Sequence, residues 1–222
     1  MARAARALVV LAKWPGAGQA KRRLGAAIGP RASTALAHAF LRDTAALARR
    51  AGADLVIVAF APPSARARIG AIFPGAGLVA QPRGPFGTRF ASALAAGRAR
   101  AHGVVLIGTD SPTLDPAIVR AAFAALESGA DCALGPSRDG GFYLIGCSVA
   151  LPSPLFQRVP WSTSAVFAMT RARAWAAGLH VAELPERYDV DDAASLELLR
   201  ADRSGLRRAR ATAAALRELD AA

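Results

Sequence analysis

Cysteine, histidine and aromatic residues are scarce in this 222-residue chain: it holds two cysteines, three histidines and 6% aromatics. The spacing of Cys132 and Cys147 matches no zinc pattern, and both lie in runs that read as buried strands, so core thiols are expected. His38, His102 and His180 fall in helical or loop patterns away from the loops where chemistry concentrates, and no serine nucleophile elbow is present, which disfavours covalent hydrolytic catalysis. No apolar stretch approaches the roughly 20 residues needed to cross a bilayer. Arg3 and Arg6 precede an apolar patch of only about five residues that stops at Lys13, too short for a secretion signal. A cytoplasmic protein without a membrane partner is expected. Two common glycine loops are missing as well: no glycine directly precedes Lys21 as a Walker loop requires, and Lys21 stands where a dinucleotide fingerprint needs its third glycine.

Acidic residues are also few, 16 against 28 Lys and Arg, for a net charge of +12. Such a balance suggests nucleic acid, since clustered cations release counterions from phosphates. The distribution opposes it: Arg49-Arg50, Arg98 to Arg100 and Arg207 to Arg210 are interleaved with alanine rather than with stacking aromatics. A solvated alanine/arginine surface and a small anionic substrate account for the charge more economically than nucleic acid.

At 53% hydrophobic, with no contrast between its halves, the chain reads as one domain over residues 1–222. Apolar runs alternate with helical patterns, the signature of an α/β three-layer sandwich on a mixed, mainly parallel sheet. Strands are expected at Ala7 to Ala12, Leu55 to Phe60, Leu78 to Gln81, Val104 to Gly108, Cys132 to Gly135, Phe142 to Cys147 and Val181 to Leu184. Helices are expected at Ala32 to Ala51, Gly87 to Ala101, Pro116 to Ser128, Ser164 to Ala177, Ala193 to Leu199 and Ser204 to Leu219. Asp115 before Pro116 is a helix start and Gly129 the matching stop. Pro136 to Gly141 is too short for a parallel crossover, so the strands it joins are antiparallel or not adjacent.

The strand Leu8 to Ala12 empties into Lys13-Trp14-Pro15-Gly16-Ala17-Gly18-Gln19-Ala20-Lys21-Arg22-Arg23-Leu24, a glycine loop ringed by cations. Gly16 and Gly18 let backbone amides approach an anion, while Lys13, Lys21 and Arg23 neutralise charged oxygens. This suits a polyphosphate; a plain surface turn is the alternative. A second strand, Val104 to Gly108, runs into Thr109-Asp110-Ser111-Pro112, and strand carboxyl ends are where α/β sheets collect ligands. A carboxylate facing phosphates is repulsive unless a divalent cation lies between, so Asp110 is expected to hold Mg²⁺ or Mn²⁺, or else merely to cap its turn. In Tyr188-Asp189-Val190-Asp191-Asp192, alternation puts Asp189 and Asp191 on one face, Val190 in the core and Asp192 at a helix start. Asp191 is the expected second metal ligand, with a capping role for all three aspartates as the alternative. The loop Gly135 to Tyr143 offers Asp139, Gly140 and Gly141 to an acceptor or sugar, although Asp-Gly equally signals a plain hairpin. Ser162 or Thr163 is expected to cap the following helix, and Trp161 to pack.

With these loops in hand, the chain resembles a bacterial family of glycosyltransferase-like proteins of the GT-A (nucleotide-diphospho-sugar transferase) fold, often found beside radical-SAM genes. The resemblance spans nearly the whole chain. It rests on Ala12-Lys13, Pro15, Gly18, Lys21 and Arg23-Leu24; on Gly108 to Pro112 with Leu114; on Gly135-Pro136, Asp139-Gly140-Gly141 and Tyr143 to Gly146; and on Trp161-Ser162-Thr163 and Asp189-Val190-Asp191. The first block is also similar to the guanylyltransferases that activate phospholactate or the molybdenum cofactor. It implies catalytic roles for Lys21, Arg23 and Asp110, and nucleotide contacts from Ala12, Lys13, Pro15, Gly16, Gly18, Lys21, Gly87, Arg89 and Thr109. Acceptor or sugar contacts would come from Asp139, Gly140, Gly141, Tyr143, Trp161, Ser162 and Thr163, with metal on Asp110 and Asp191. Arg22 replaces a small hydroxyl residue usual in that family, and Gly84 to Arg89 lacks its usual acids. The expected activity is metal-dependent transfer of a nucleotide from an NTP to a small phosphorylated or phosphonylated acceptor. Glycosyl transfer from an NDP-sugar and a non-catalytic nucleotide or nucleic-acid binding module are the alternatives, and assembly into an oligomer is compatible with the sequence.

Overall fold

The structure, a computed structural model, describes residues 3–16 and 21–221. Among them, β1 (Ala4–Lys13), β2 (Leu55–Ala61), β3 (Gly77–Ala80), β4 (Ala101–Ile107), β5 (Cys132–Pro136), β6 (Phe142–Cys147) and β7 (Val181–Glu183) form one sheet in the order β3-β2-β1-β4-β6-β5-β7. All neighbours pair in parallel except β6, which is antiparallel to both β4 and β5. That exception follows from the short β5–β6 connection, which leaves room for a hairpin and nothing longer.

Nine helices are described: α1 (Arg22–Ile28), α2 (Pro30–Ala48), α3 (Arg66–Ile72), α4 (Phe86–Arg98), α5 (Pro116–Glu127), α6 (Val166–Ala176), α7 (Ala193–Ala201), α8 (Arg203–Arg208) and α9 (Arg210–Asp220). Successive side chains of β1 point to opposite faces of the sheet, so Leu8 and Val10 pack with α2, α3 and α5, and Ala7 and Val9 with α4. Both faces are covered, which is why the strand reads as an unbroken apolar run. The result is a three-layer α/β sandwich with a mixed, mainly parallel sheet. A third cluster, away from the sheet, joins Leu24 of α1 and Phe40 of α2 to Val190, to Leu199 of α7 and to Leu216 of α9.

From β1 the chain moves outward to β2 and β3, then returns through α4 to β4 on the other side of β1. The loops leaving β1 and β4 therefore diverge and open a crevice at their carboxyl ends, the usual ligand position in open α/β sheets.

Cys132 and Cys147 are free and buried, opposite one another on β5 and β6. Asp115 accepts from the Ala117 N–H at 2.8 Å and so caps α5, and Gly129 beyond its end has φ 104°. Several expectations need correction. The tail is two helices broken at Ala209, whose ψ of 69° leaves the helical range. Helices α1 and α3 carry no strong apolar period and were not expected. Helix α6 starts from Ala165 with no side-chain cap; Thr163 instead donates to the Pro160 carbonyl at 2.8 Å, and neither it nor Ser162 is the cap. Among the described residues no helix is long and apolar enough to cross a membrane.

Buried Asp43 on α2 accepts the N–H groups of Ala211 and Thr212, at 3.1 and 2.7 Å, and so caps α9 from across the fold. Asp43→Ala is expected to cost about 1–3 kcal/mol, because two helix-terminal donors lose a charged acceptor. Chemical denaturation measures it, and an unchanged midpoint would show that α9 does not depend on this cap.

Candidate functional site

The β1/β4 crevice is a cavity of about 920 Å³, within the range of small-molecule sites. Its walls come from the loop after β1, the loop after β4, the β5–β6 hairpin, the segment before α6 and the approach to α7. At its centre the Lys21 ammonium lies 2.5 Å from Asp110 Oδ1 and 2.9 Å from Asp191 Oδ1. Arg23 reaches the other oxygen of Asp191 at 3.1 Å. Residues about 90 and 170 positions apart in sequence thus share one charge centre.

Local structure explains how. Lys21 takes a left-handed conformation (φ 47°, ψ 59°) at the start of α1, turning its side chain back over the Phe40 ring. Leu24, one turn on, is fully buried in the third cluster. Val190 is buried in that same cluster, and its N–H donates to the Asp110 carbonyl at 2.8 Å, which ties the two acidic loops together. Asp189 and Asp191 then face the cavity while Asp192 caps α7 by accepting from Ser195 N–H at 2.9 Å.

The electrostatics follow from burial and pairing. The Lys21 side chain is only 9% exposed, and although burial opposes its charge, Asp110 and Asp191 outweigh that effect and raise its pKa. For Asp191, burial acts upward, but Lys21 and Arg23 hold the carboxyl below the usual carboxylate range. Burial pushes Asp189 up to about 6, with the hydrogen bond from Ser111 opposing and the Asp110 charge reinforcing it.

Among the described residues no group of three or more metal-ligating side chains is present. Two carboxylates that already share one cation position are nevertheless the donor set that Mg²⁺ uses when substrate phosphates complete its shell. Asp110 and Asp191 fit such an ion and do not form an all-protein cage.

Of the other expected site residues, Ala12, Lys13, Pro15, Gly16, Arg89, Thr109, Asp139, Gly141, Tyr143, Trp161, Ser162 and Thr163 line the cavity. Gly18 lies outside the described residues. Arg23, Gly87 and Gly140 do not line it. Gly87 makes room for the Trp161 indole, whose Nε1 would be 3.1 Å from an added Cβ. Gly140, at φ 85°, packs on Ser164, whose carbonyl oxygen would be 2.2 Å from a Cβ there. Tyr143 is a buried prop: its hydroxyl donates to the Pro185 carbonyl at 2.9 Å, and burial pushes its pKa up to about 12. Trp161 joins Phe86, Phe90 and Phe142 in an aromatic wall. Arg138 pairs with Glu186 at 3.3 Å.

The sequence also hid two cavity-lining residues, Gln81 and Arg68, and one contact of the first loop. Gln81 ends β3's run, donates to the Ala12 and Ala59 carbonyls at 2.9 and 2.8 Å, and accepts from Arg89 at 3.3 Å, fixing a cation at the wall. A polar residue closing an apolar strand was its only signal. Arg68 stacks over Trp14 at 4.8 Å, from a helix without a clear apolar period. His38 corrects the expectation that all three histidines lie away from the loops: its ring is 4.8 Å from that of Trp14, so it adjoins the first loop.

Residues 43–163 match the family model described as "Uncharacterized protein conserved in bacteria (DUF2064)", more than half of the chain. The chain belongs to the DUF2064 family. Among solved structures it is similar to a protein of Desulfovibrio desulfuricans G20 described as a candidate nucleotide-diphospho-sugar transferase, with TM-score 0.87 and 29% identity over 97% of this chain and 95% of that one. It shares its fold with CMP:2-keto-3-deoxy-manno-octonic acid synthetase complexed with CTP (TM-score 0.53, 15% identity, 89% and 97% covered). It does so too with Rv0371C of Mycobacterium tuberculosis H37Rv in complex with manganese (TM-score 0.52, 23% identity, 89% and 98% covered). No curated protein matches the chain.

Gly140→Ala tests the cavity wall. Its Cβ would meet Ser164 backbone in a conformation that L residues rarely adopt, so a loss of about 1–3 kcal/mol is expected in thermal or chemical denaturation. A variant as stable as the parent would mean that the hairpin and the Ser164 segment are not held together here.

Proposed function

We propose that this DUF2064 chain, acting as one GT-A-like unit over residues 1–222, is a divalent-metal-dependent transferase that moves a nucleotide from an NTP to a small phosphorylated or phosphonylated acceptor. The observation that carries the reading is the meeting of Lys21, Asp110 and Asp191 in a cavity at the β1/β4 switch point. Among the solved structures that share the fold, one described as a nucleotidyl transferase, from Methanothermobacter, and the synthetase complexed with CTP support the reaction class.

An NTP would lie with its phosphates toward the loop after β1, where Lys13, Lys21 and Arg89 supply positive charge. Asp110 and Asp191 would hold Mg²⁺ or Mn²⁺, which supplies charge neutralisation between these carboxylates and the phosphates. Lys21 would then exchange a carboxylate oxygen for a phosphate oxygen, one anionic partner for another. An acceptor oxyanion seated near Asp139, Ser162 and the aromatic wall attacks the α-phosphorus in line, a new P–O bond forms, the α–β bridge breaks, and pyrophosphate leaves with the electron pair. Little of this asks the protein for proton transfer; positioning and charge stabilisation carry the rate. Glycosyl transfer from an NDP-sugar is the second reading, supported by the description of the Desulfovibrio relative.

A screen of NTPs and NDP-sugars with Mg²⁺ or Mn²⁺ and phosphorylated acceptors separates the two. Pyrophosphate release from an NTP supports the proposal, whereas turnover only with an NDP-sugar overturns it in favour of glycosyl transfer. In the active pairing, Lys21→Ala and Asp110→Asn are each expected to lower turnover at least about 10²-fold, the scale for losing a charge-stabilising group, with the circular dichroism spectrum unchanged. Full turnover in both variants would dismiss the assignment.

A further inference from the structure

A second groove, of about 720 Å³, is lined by Arg200, Arg203, Arg207, Arg210 and Arg217 over an apolar floor that includes Leu206 and Leu216. In the sequence these arginines are interleaved with alanine and read as a dispersed, solvated surface. The break at Ala209 changes that, because it folds α8 and α9 against one another and gathers cations from three helices around one depression. Arg200 is already paired, with Glu197 and with Asp220, both at 2.6 Å. Asp220 is the one carboxylate in the groove wall and is taken by that pair. Arg203, Arg207, Arg210 and Arg217 are exposed and have no carboxylate partner among the described residues.

Four unpaired guanidinium groups in one depression repel one another, and an anion relieves that repulsion. Their planar forks match phosphate oxygens two at a time. No aromatic side chain lines the groove, so bases would find no stacking platform. The cations are confined to a volume of small-molecule size instead of forming the extended stripe that a nucleic-acid backbone tracks. None of the groove residues belongs to the β1/β4 cavity.

We propose that this arginine groove binds a short chain of phosphates, as in inorganic tripolyphosphate or the triphosphate tail of a nucleotide, at a site separate from the one that holds Lys21. The inference goes beyond the proposed transferase activity and does not depend on it.

Calorimetric titration of the whole chain with sodium tripolyphosphate at low ionic strength tests it, with Lys21→Ala protein used to silence the first cavity. Saturable binding is expected to persist in Lys21→Ala and to fall at least about tenfold when Arg203→Gln and Arg210→Gln are added, since each removes charge-assisted hydrogen bonds. Should that variant misfold, Arg203→Lys with Arg210→Lys keeps the charge, removes the fork, and is expected to weaken binding severalfold. ATP titrated into the same Lys21→Ala protein distinguishes the sources: binding as tight as tripolyphosphate identifies a nucleotide tail, and weaker binding identifies a free phosphate chain. The proposal is overturned if tripolyphosphate does not bind, if the arginine substitutions leave its affinity unchanged, or if polyglutamate or a mixed single-stranded oligonucleotide binds in its place.

Discussion

One ammonium group between two carboxylates organises the centre of this molecule. Lys21 Nζ satisfies Asp110 and Asp191 together, and with the lysine side chain 9% exposed, its charge is held in that poorly solvated place by these two carboxylates. In the proposed transferase the arrangement would serve as an exchange site. Two acids held close need a cation, and a resident lysine supplies one when no substrate is bound. On the proposed reading, a phosphate entering the cavity would compete for the same ammonium, and a divalent ion for the same carboxylates.

What holds the three groups together is apolar. Leu24 lies one turn beyond Lys21, Val190 sits between Asp189 and Asp191, and both are fully buried in the cluster that also takes Phe40, Leu199 and Leu216. The cluster lies apart from the sheet, so its role is to dock α1 and the C-terminal helices onto α2. The hydrogen bond from Val190 to the Asp110 carbonyl adds the third loop. The central sheet sets where β1 and β4 end; the satellite core sets which side chains meet there. Asp43, by capping α9 from α2, secures the same union from the other end.

Much of this was legible in the sequence. A strand buried on both faces shows as an unbroken apolar run, and so β1, β2 and β4 could be placed, with only their ends shifted. The six residues from Pro136 to Gly141 excluded a parallel crossover and left antiparallel or non-adjacent strands, of which the structure shows the antiparallel pair. Alternation through Asp189, Val190 and Asp191 indicated which side chains turn inward. The departures have local causes. Helix α1 follows a lysine in a left-handed conformation and contains Gly25, so neither a cap nor a strong propensity announces it. The tail break at Ala209 has no glycine or proline to mark it; it arises where α9 docks on Asp43. Contacts such as His38 with Trp14, or Gln81 with two strand carbonyls, are made by tertiary proximity alone and leave no periodic trace. Gly87 and Gly140 show the converse error: a glycine in a promising loop can serve a close chain contact instead of a ligand.

The central claim is that Asp110 and Asp191 act on one ion beside Lys21. Manganese binding followed by electron paramagnetic resonance, with a nucleoside triphosphate present, tests it most directly. The account predicts a bound Mn²⁺ signal in the parent protein and a loss of affinity of at least about tenfold in both Asp110→Asn and Asp191→Asn. Equal Mn²⁺ affinity in the parent and both variants would contradict it.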